Sequence, residues 1–228
     1  MKKEYPGWEL EYFDLATNFR NYQFKLIKNQ IKGDVAEVGP GNGIITKKYS
    51  SLVKKISLYE PSQQIFKKLK KKFTKNKRIT IHNSQLRLIK NKFDTIIYLD
   101  VIEHIKKDKE EINKALKCLK KDGVLIINVP AFSFLYSNFD KEVGHHKRYN
   151  KNDFKKMLQF TKIKKSYMLY YDSLGFLLSL LNKFFNQNEG RLFKNKILIW
   201  NFLINFSKYI DIITFHTIGK SLLIFIKK

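Results

Sequence analysis

The chain has 228 residues, 43% hydrophobic and 14% aromatic, and its 19 Phe and 12 Tyr exclude global disorder, because that much apolar surface must be buried. Cys118 is the only cysteine, which excludes an intrachain disulfide, a cysteine-based metal cluster and a thiol redox pair. Lys and Arg outnumber Asp and Glu by 45 to 20, an excess of 25 that reflects either solvated lysine faces or an anionic partner such as nucleic acid or a membrane; only five of the 45 are arginine, the residue that nucleic-acid readers favour.

The opening residues Met1-Lys2-Lys3-Glu4-Tyr5 lead into Pro6-Gly7 without the apolar run of a signal peptide. Later apolar stretches, 174–181 and 196–204, are broken by Ser, Asn or Lys well before the ~18 residues that span a membrane. The expectation is a cytoplasmic protein with, at most, peripheral contact with a membrane surface. Residues 8–32 lack Pro and Gly and read as one or two helices. From 33 to 130, nearly continuous apolar runs at 35–38, 56–59, 79–82, 94–99 and 124–129 alternate with helical stretches at 64–73 and 110–119. Apolar runs of this kind suit strands buried on both faces, and strand–helix alternation requires right-handed crossovers. The fold class is α/β, doubly wound and mostly parallel. Residues 130–150 form a loop too long for a simple connector, and helices are expected near 152–160, 173–187 and 196–210, with a closing strand at 222–226. One domain over 1–228 is expected, in which 33–130 bind a cofactor and 131–228 supply an acceptor loop, a helical cap and the last strand.

The strongest motif is Glu37-Val38-Gly39-Pro40-Gly41-Asn42-Gly43, directly after the first strand. Glycines at such a turn let the backbone bend tightly and let a ligand approach with no Cβ in the way. Ile44 stands where a dinucleotide fingerprint has its third glycine, so a ligand smaller than a pyrophosphate fits better. The second strand ends in Tyr59-Glu60-Pro61, which places a carboxylate where ribose hydroxyls can be bound.

The order Glu37-x-Gly39-x-Gly41-x-Gly43, Glu60, Phe93-Asp94-x-Ile96-Ile97, Asp100-Val101-Ile102-Glu103-His104 and Asp122-Gly123 resembles the class I S-adenosylmethionine-dependent methyltransferases over roughly 33–130. The segment Phe139-Asp140 through Gly144-His145-His146-Lys147-Arg148-Tyr149 resembles the FD…GH.RRY loop of a bacterial subgroup of these enzymes. The resemblance implies a seven-stranded Rossmann-like sheet with an antiparallel last strand, and S-adenosyl-L-methionine as the cofactor. It further implies that Gly39, Gly41 and Gly43 surround the methionine portion, Glu37 holds its ammonium and Glu60 its ribose, and Asp100 sits near the methionine end. Where many relatives carry an acidic residue for the adenine amino group, this chain has His82-Asn83-Ser84-Gln85, so Asn83 and Ser84 are the neutral stand-ins.

Transfer from a sulfonium needs mainly in-line placement, and a hydroxyl acceptor also needs a base, for which His is the residue suited near neutral pH. His104, His145 and His146 are the candidates; His104 is also readable as a residue that caps or packs at a helix start, and His145 and His146 as residues that fold the loop through bonds to Asp140 or Glu142. Arg148 and Tyr149 either bind an anionic acceptor or pin the loop. No metal site is expected, since the adjacent side chains of His145 and His146 splay apart. The lysine- and aromatic-rich tail (Phe184, Phe185, Trp200, Phe202, Phe206, Phe215) reads as a helical lid or as a surface for an amphipathic acceptor. The function expected is methyl transfer to a small or lipid-linked acceptor, with O-methylation preferred. A nucleic-acid methyltransferase and a non-catalytic binding protein are the alternatives.

Overall fold

The computed structural model describes Gly7, residues 9–185 and residues 193–228; the ends of the expected helices at Trp8 and at 186–187, and the side chains of Phe184 and Phe185, lie outside the described residues. The N-terminal stretch forms two helices, α1 (Glu9–Asp14) and α2 (Thr17–Ile27). There follow β1 (Asp34–Val38), α3 (Ile44–Tyr49), β2 (Lys55–Tyr59), α4 (Gln63–Phe73), β3 (Ile79–His82), β4 (Phe93–Leu99), α5 (Asp108–Cys118) and β5 (Leu119–Pro130). In α4, Ile65, Leu69 and Phe73 recur at helical spacing and are buried, while most of the lysines between them face water.

With β6 (Lys165–Tyr171) and β7 (Ser221–Lys227) from the C-terminal third, the seven strands lie in the order β3-β2-β1-β4-β5-β7-β6. β1 pairs in parallel with both β2 and β4, so the strand order reverses between them, the place where open α/β sheets bind ligands. Neighbouring residues of one strand enter different cores: Val35 and Ile97 belong to one cluster, Ala36 and Ile96 to the other. That alternation explains why each strand reads as an unbroken apolar run. Register then fixes the site. Val38 lies opposite Tyr59 on one side and Tyr98 on the other, so three strands end side by side and deliver Gly39, Glu60 and Asp100 to one rim.

The C-terminal third contains α6 (Asn138–Glu142), α7 (Lys151–Leu158), β6 (Lys165–Tyr171), α8 (Ser173–Phe185), α9 (Phe193–Ile213) and β7 (Ser221–Lys227). β7 runs antiparallel to both β5 and β6, as the resemblance implied. β6 was not expected from the sequence: it is an edge strand whose first three residues, Lys165, Ser166 and Tyr167, are exposed, so no apolar run marks it. The loop of 130–150 also holds more order than expected, a single turn at Ser133–Leu135 and the helix α6.

Buried polar groups fasten α8 and α9 to the sheet. Asp211 of α9 accepts the Tyr22 hydroxyl at 2.8 Å, the Asp172 and Ser173 N–H groups at 2.7 and 2.9 Å, and the Ser173 hydroxyl. Asp172, in the left-handed region at φ 69°, accepts the Gly175 N–H at 2.9 Å and the Trp200 indole N–H at 2.7 Å. No helix among the described residues is long and apolar enough to cross a membrane.

Candidate active site

A cavity of about 1290 Å³ opens at the carboxyl ends of the parallel strands. Ligand pockets commonly enclose ~300–1,000 Å³, so this one has room for a cofactor and an acceptor together. Its floor is the turn after β1. Gly39, Gly41 and Gly43 have φ of 63°, 53° and 69°, a region costly for residues with a Cβ. A Cβ at Gly39 would come 2.6 Å from Val101 and one at Gly43 would come 2.7 Å from Phe73, so packing requires these two glycines. Gly41 borders the cavity, where a Cβ would meet only Leu10, at 3.4 Å. Here the glycine keeps space for a ligand.

Two carboxyls face this turn. Glu37 accepts the Thr46 and Tyr49 hydroxyls at 2.6 and 2.7 Å on one oxygen, and burial pushes its pKa up to about 7. Glu60 accepts the Ser62 N–H at 2.8 Å on Oε1, is 5% exposed, and is likewise raised by burial to about 7. Buried carboxyls of raised pKa gain from hydrogen-bond donors brought by a ligand, and a ribose or an ammonium supplies them. A Cβ-free turn beside two such acceptors fits S-adenosylmethionine. Asp100, in the left-handed region at φ 59°, is held by Arg20 at 3.1 Å and Asn128 at 2.5 Å.

The opposite wall comes from the loop after β5. Asp140 is fully buried and caps α6 through the Ser137 N–H at 2.9 Å. It also accepts the Arg148 Nε at 3.0 Å and Nη2 at 2.9 Å, and pairs with His145 Nδ1 at 2.7 Å. Burial alone would raise the carboxyl, but the His145 and Arg148 contacts outweigh it and hold it near 2. With Nδ1 on Asp140, His145 turns Nε2 toward Glu103, 3.9 Å away. Glu103 is 1% exposed and neither carboxyl oxygen has a hydrogen-bond partner among the described residues; burial, then Asp100, drives its pKa well above the ordinary range. His104 packs edge-on against His145 at 4.7 Å, and burial lowers its pKa to about 4. The wall therefore holds a His104 that is neutral near pH 7, a Glu103 carboxyl whose burial favours the neutral form, and a His145 ring oriented by a carboxylate.

Comparison with known proteins decides the family. The model of a methyltransferase domain matches residues 11–165. The chain belongs to this family. Membership bears out the expected family, that of the methyltransferase domains. No curated protein matches the sequence. Among solved structures, a phosphoethanolamine N-methyltransferase 2 of Haemonchus contortus in complex with S-adenosyl-L-methionine superposes with a TM-score of 0.68 at 15% identity. It matches 99% of this chain but only 58% of its own length, so the methyltransferase described here spans little more than half of that protein. A Haloferax volcanii protein in complex with the Trm112 methyltransferase activator has a TM-score of 0.69 at 8% identity, covering 99% of this chain and 96% of its own. The YcgJ protein of Bacillus subtilis has a TM-score of 0.60 at 12% identity, over 92% and 97%. At these identities the likeness is one of fold.

In the methyltransferase, the cavity brings together Glu37, Gly39, Gly41, Glu60, Asp100, His104, His145 and Arg148. Five expected residues stand apart from it. Gly43 belongs to the turn but does not line the cavity; it packs against Phe73 instead. Tyr149 is fully buried with its hydroxyl 3.0 Å from Asp108, so a substrate-binding role is replaced by one in pinning the loop, where its backbone also bridges to Ala131. His146 is exposed and only its N–H is engaged, on the Glu103 carbonyl at 2.7 Å. The Asn83 amide donates to the Glu60 and Pro61 carbonyls, and Ser84 does not reach the cavity either; Gln85 is the residue of that segment that lines it. Sequence reasoning missed Glu103 and Arg20, and offered Asp140 only as one of two bonding partners for the loop histidines, of which the structure shows the bond to His145. Asp140 and Glu103 lay within quoted motifs, but their burial has no signature in residue spacing. Glu103, His104 and His145 also place one potential ligand atom each within 4.8 Å of one another, a grouping different from the adjacent histidines considered for a metal.

Proposed function

We propose that this methyltransferase moves the methyl group of S-adenosyl-L-methionine to a small or lipid-linked acceptor whose nucleophilic atom sheds a proton, with His145 as the base. The observation that carries the proposal is the single cavity joining the glycine turn to the Asp140–His145 pair. The cofactor supplies an activated methyl on a sulfonium. Gly41 gives it backbone space, Glu60 accepts the ribose hydroxyls, and Glu37 stands at the methionine end. His145 Nε2 takes the proton of a hydroxyl or ammonium acceptor, and Asp140 holds the ring orientation and stabilises the imidazolium. Holding acceptor and cofactor in line contributes up to ~7–11 kcal/mol in favourable cases. The Haemonchus contortus enzyme has also been solved with phosphomonomethylethanolamine and S-adenosylhomocysteine, which supports a small acceptor.

Calorimetry with S-adenosylmethionine and S-adenosylhomocysteine tests the cofactor half of this proposal. Mass spectrometry of isotope-labelled methyl transfer into small-molecule and lipid extracts tests the other half. Absence of cofactor binding by a folded chain would reject the proposal.

A further inference from the structure

The acceptor half of the cavity carries cationic groups that the transfer step does not use. Arg148 is 6% exposed; Asp140 engages its Nε and Nη2, and the remaining Nη1 is buried with no partner among the described residues. Lys196, in the first turn of α9, likewise has a buried Nζ without a partner among the described residues. Lys220 precedes β7, and its ammonium stands 3.9 Å over the Trp200 ring, whose indole N–H is fixed on Asp172. All three line the cavity. Lys196 and Trp200 are four residues apart on one helix and share a face, so Lys196, Trp200 and Lys220 form a continuous wall. Lys220 and Arg148 lie close enough to interact by charge, which joins that wall to the Asp140–His145 pair.

We propose that these three groups form a seat for a phosphate, and that the acceptor is a phosphate ester. This rests on the assignment of the cavity as the acceptor site. A buried guanidinium nitrogen or ammonium without a partner is costly, and a phosphate oxygen offers each a charge-assisted bond. Among the nearby carboxyls, Asp140 is paired with Arg148 and His145, and Asp100 with Arg20. Asp172 takes its hydrogen bonds from the neutral Trp200 and Gly175 N–H groups and attracts Lys220 by charge. Burial pushes the Glu103 carboxyl well above the ordinary carboxylate range, which favours its neutral form. Arg148 Nη1 and Lys196 Nζ, without hydrogen-bond partners among the described residues, are the groups left for phosphate oxygens. A phosphate seated here holds the far end of the acceptor in place while the reactive atom faces His145. The ester belongs either to a soluble molecule or to a lipid headgroup. Exposed Leu177 and Leu181 on α8, and Leu198, Ile199 and Phe202 on α9, put apolar surface on the two helices that help line the cavity, which suits the second source.

The test uses the full chain loaded with S-adenosylhomocysteine. Calorimetry with glycerol 3-phosphate probes the soluble source, and flotation with phosphatidylcholine vesicles with and without phosphatidic acid probes the lipid source. Binding in either arm that falls at least ~10-fold in Lys196→Met and in Lys220→Met, with S-adenosylhomocysteine affinity unchanged, supports the seat. Lys71→Met, on the exposed face of α4, is the control for general charge. An equal loss in that control, or no response to either probe by cofactor-loaded protein, overturns the phosphate seat and leaves the methyltransferase proposal standing. Failure to bind S-adenosylhomocysteine at all overturns both.

Discussion

Replacing Asp140 by Asn should destabilise the protein sharply, and the magnitude follows from two independent routes. The carboxyl is fully buried and held near 2, against an ordinary value of 3.8, despite the upward push of burial. Converted at ~1.4 kcal/mol per tenfold change in proton affinity, that difference corresponds to ~2.5 kcal/mol. The second route starts from Arg148, which the substitution leaves as a buried cation without its counter-charge, a change that costs ~3–5 kcal/mol. The bracket of ~2.5–5 kcal/mol corresponds to a fall in melting temperature of ~5–20 °C for a chain of this size. The sign in pH follows from the depressed value: the contribution is fully present above ~4 and is lost as the pH falls toward 2. Thermal melts followed by circular dichroism at pH 7 should therefore separate wild type from Asp140→Asn, and the gap should narrow in acid. Glu142→Gln, on an exposed neighbour, should change stability by less than ~0.5 kcal/mol. A melting temperature for Asp140→Asn within ~2 °C of wild type would refute the argument.

Three further expectations concern ligand and rate. Glu60→Ala should weaken S-adenosylhomocysteine at least ~10-fold by calorimetry. Wild-type affinity should rise between pH 6 and pH 8 as the carboxyl, raised to about 7, ionises, and Glu60→Gln should flatten that rise. Gly41→Val should abolish cofactor binding while circular dichroism stays native in form, because the new side chain meets the cavity and Leu10; retained affinity would sink the assignment of the turn. His145→Ala should lower turnover ~10²–10⁴-fold with cofactor affinity intact, whereas His146→Ala should leave both near wild type; equal rates for the two variants would remove His145 from the role of base.

Most of the sheet was legible because each inner strand is apolar on both faces, and the turn after β1 was legible because its glycines are demanded by backbone conformation and, at Gly39 and Gly43, by close packing. The edge strand β6 escaped for the converse reason: half of it meets water. The opposite wall of the cavity was harder to read. Asp140, His145 and Arg148 stand eight residues apart or less, and a sequence shows them as a charged loop without showing that α6 buries the carboxyl at their centre. Tyr149 looked like a ligand contact, yet it closes the core behind that loop. Lys196 and Lys220 stood among 45 basic residues, and only packing separates a buried ammonium from a solvated one.

The place of β7 in the sheet has a consequence for biosynthesis. This strand lies between β5 and β6 although it follows both in the chain, so a later-made strand fills an interior slot. While residues 221–227 are still to be synthesised, β5 presents an unpaired apolar edge and β6 has no neighbour. Such edges attract other strands. The nascent chain is therefore exposed to mispairing between the emergence of β6 and that of β7. Lys220 and Ser221, which line the cavity, arrive with β7, so the cavity is completed by the same event that seals the sheet.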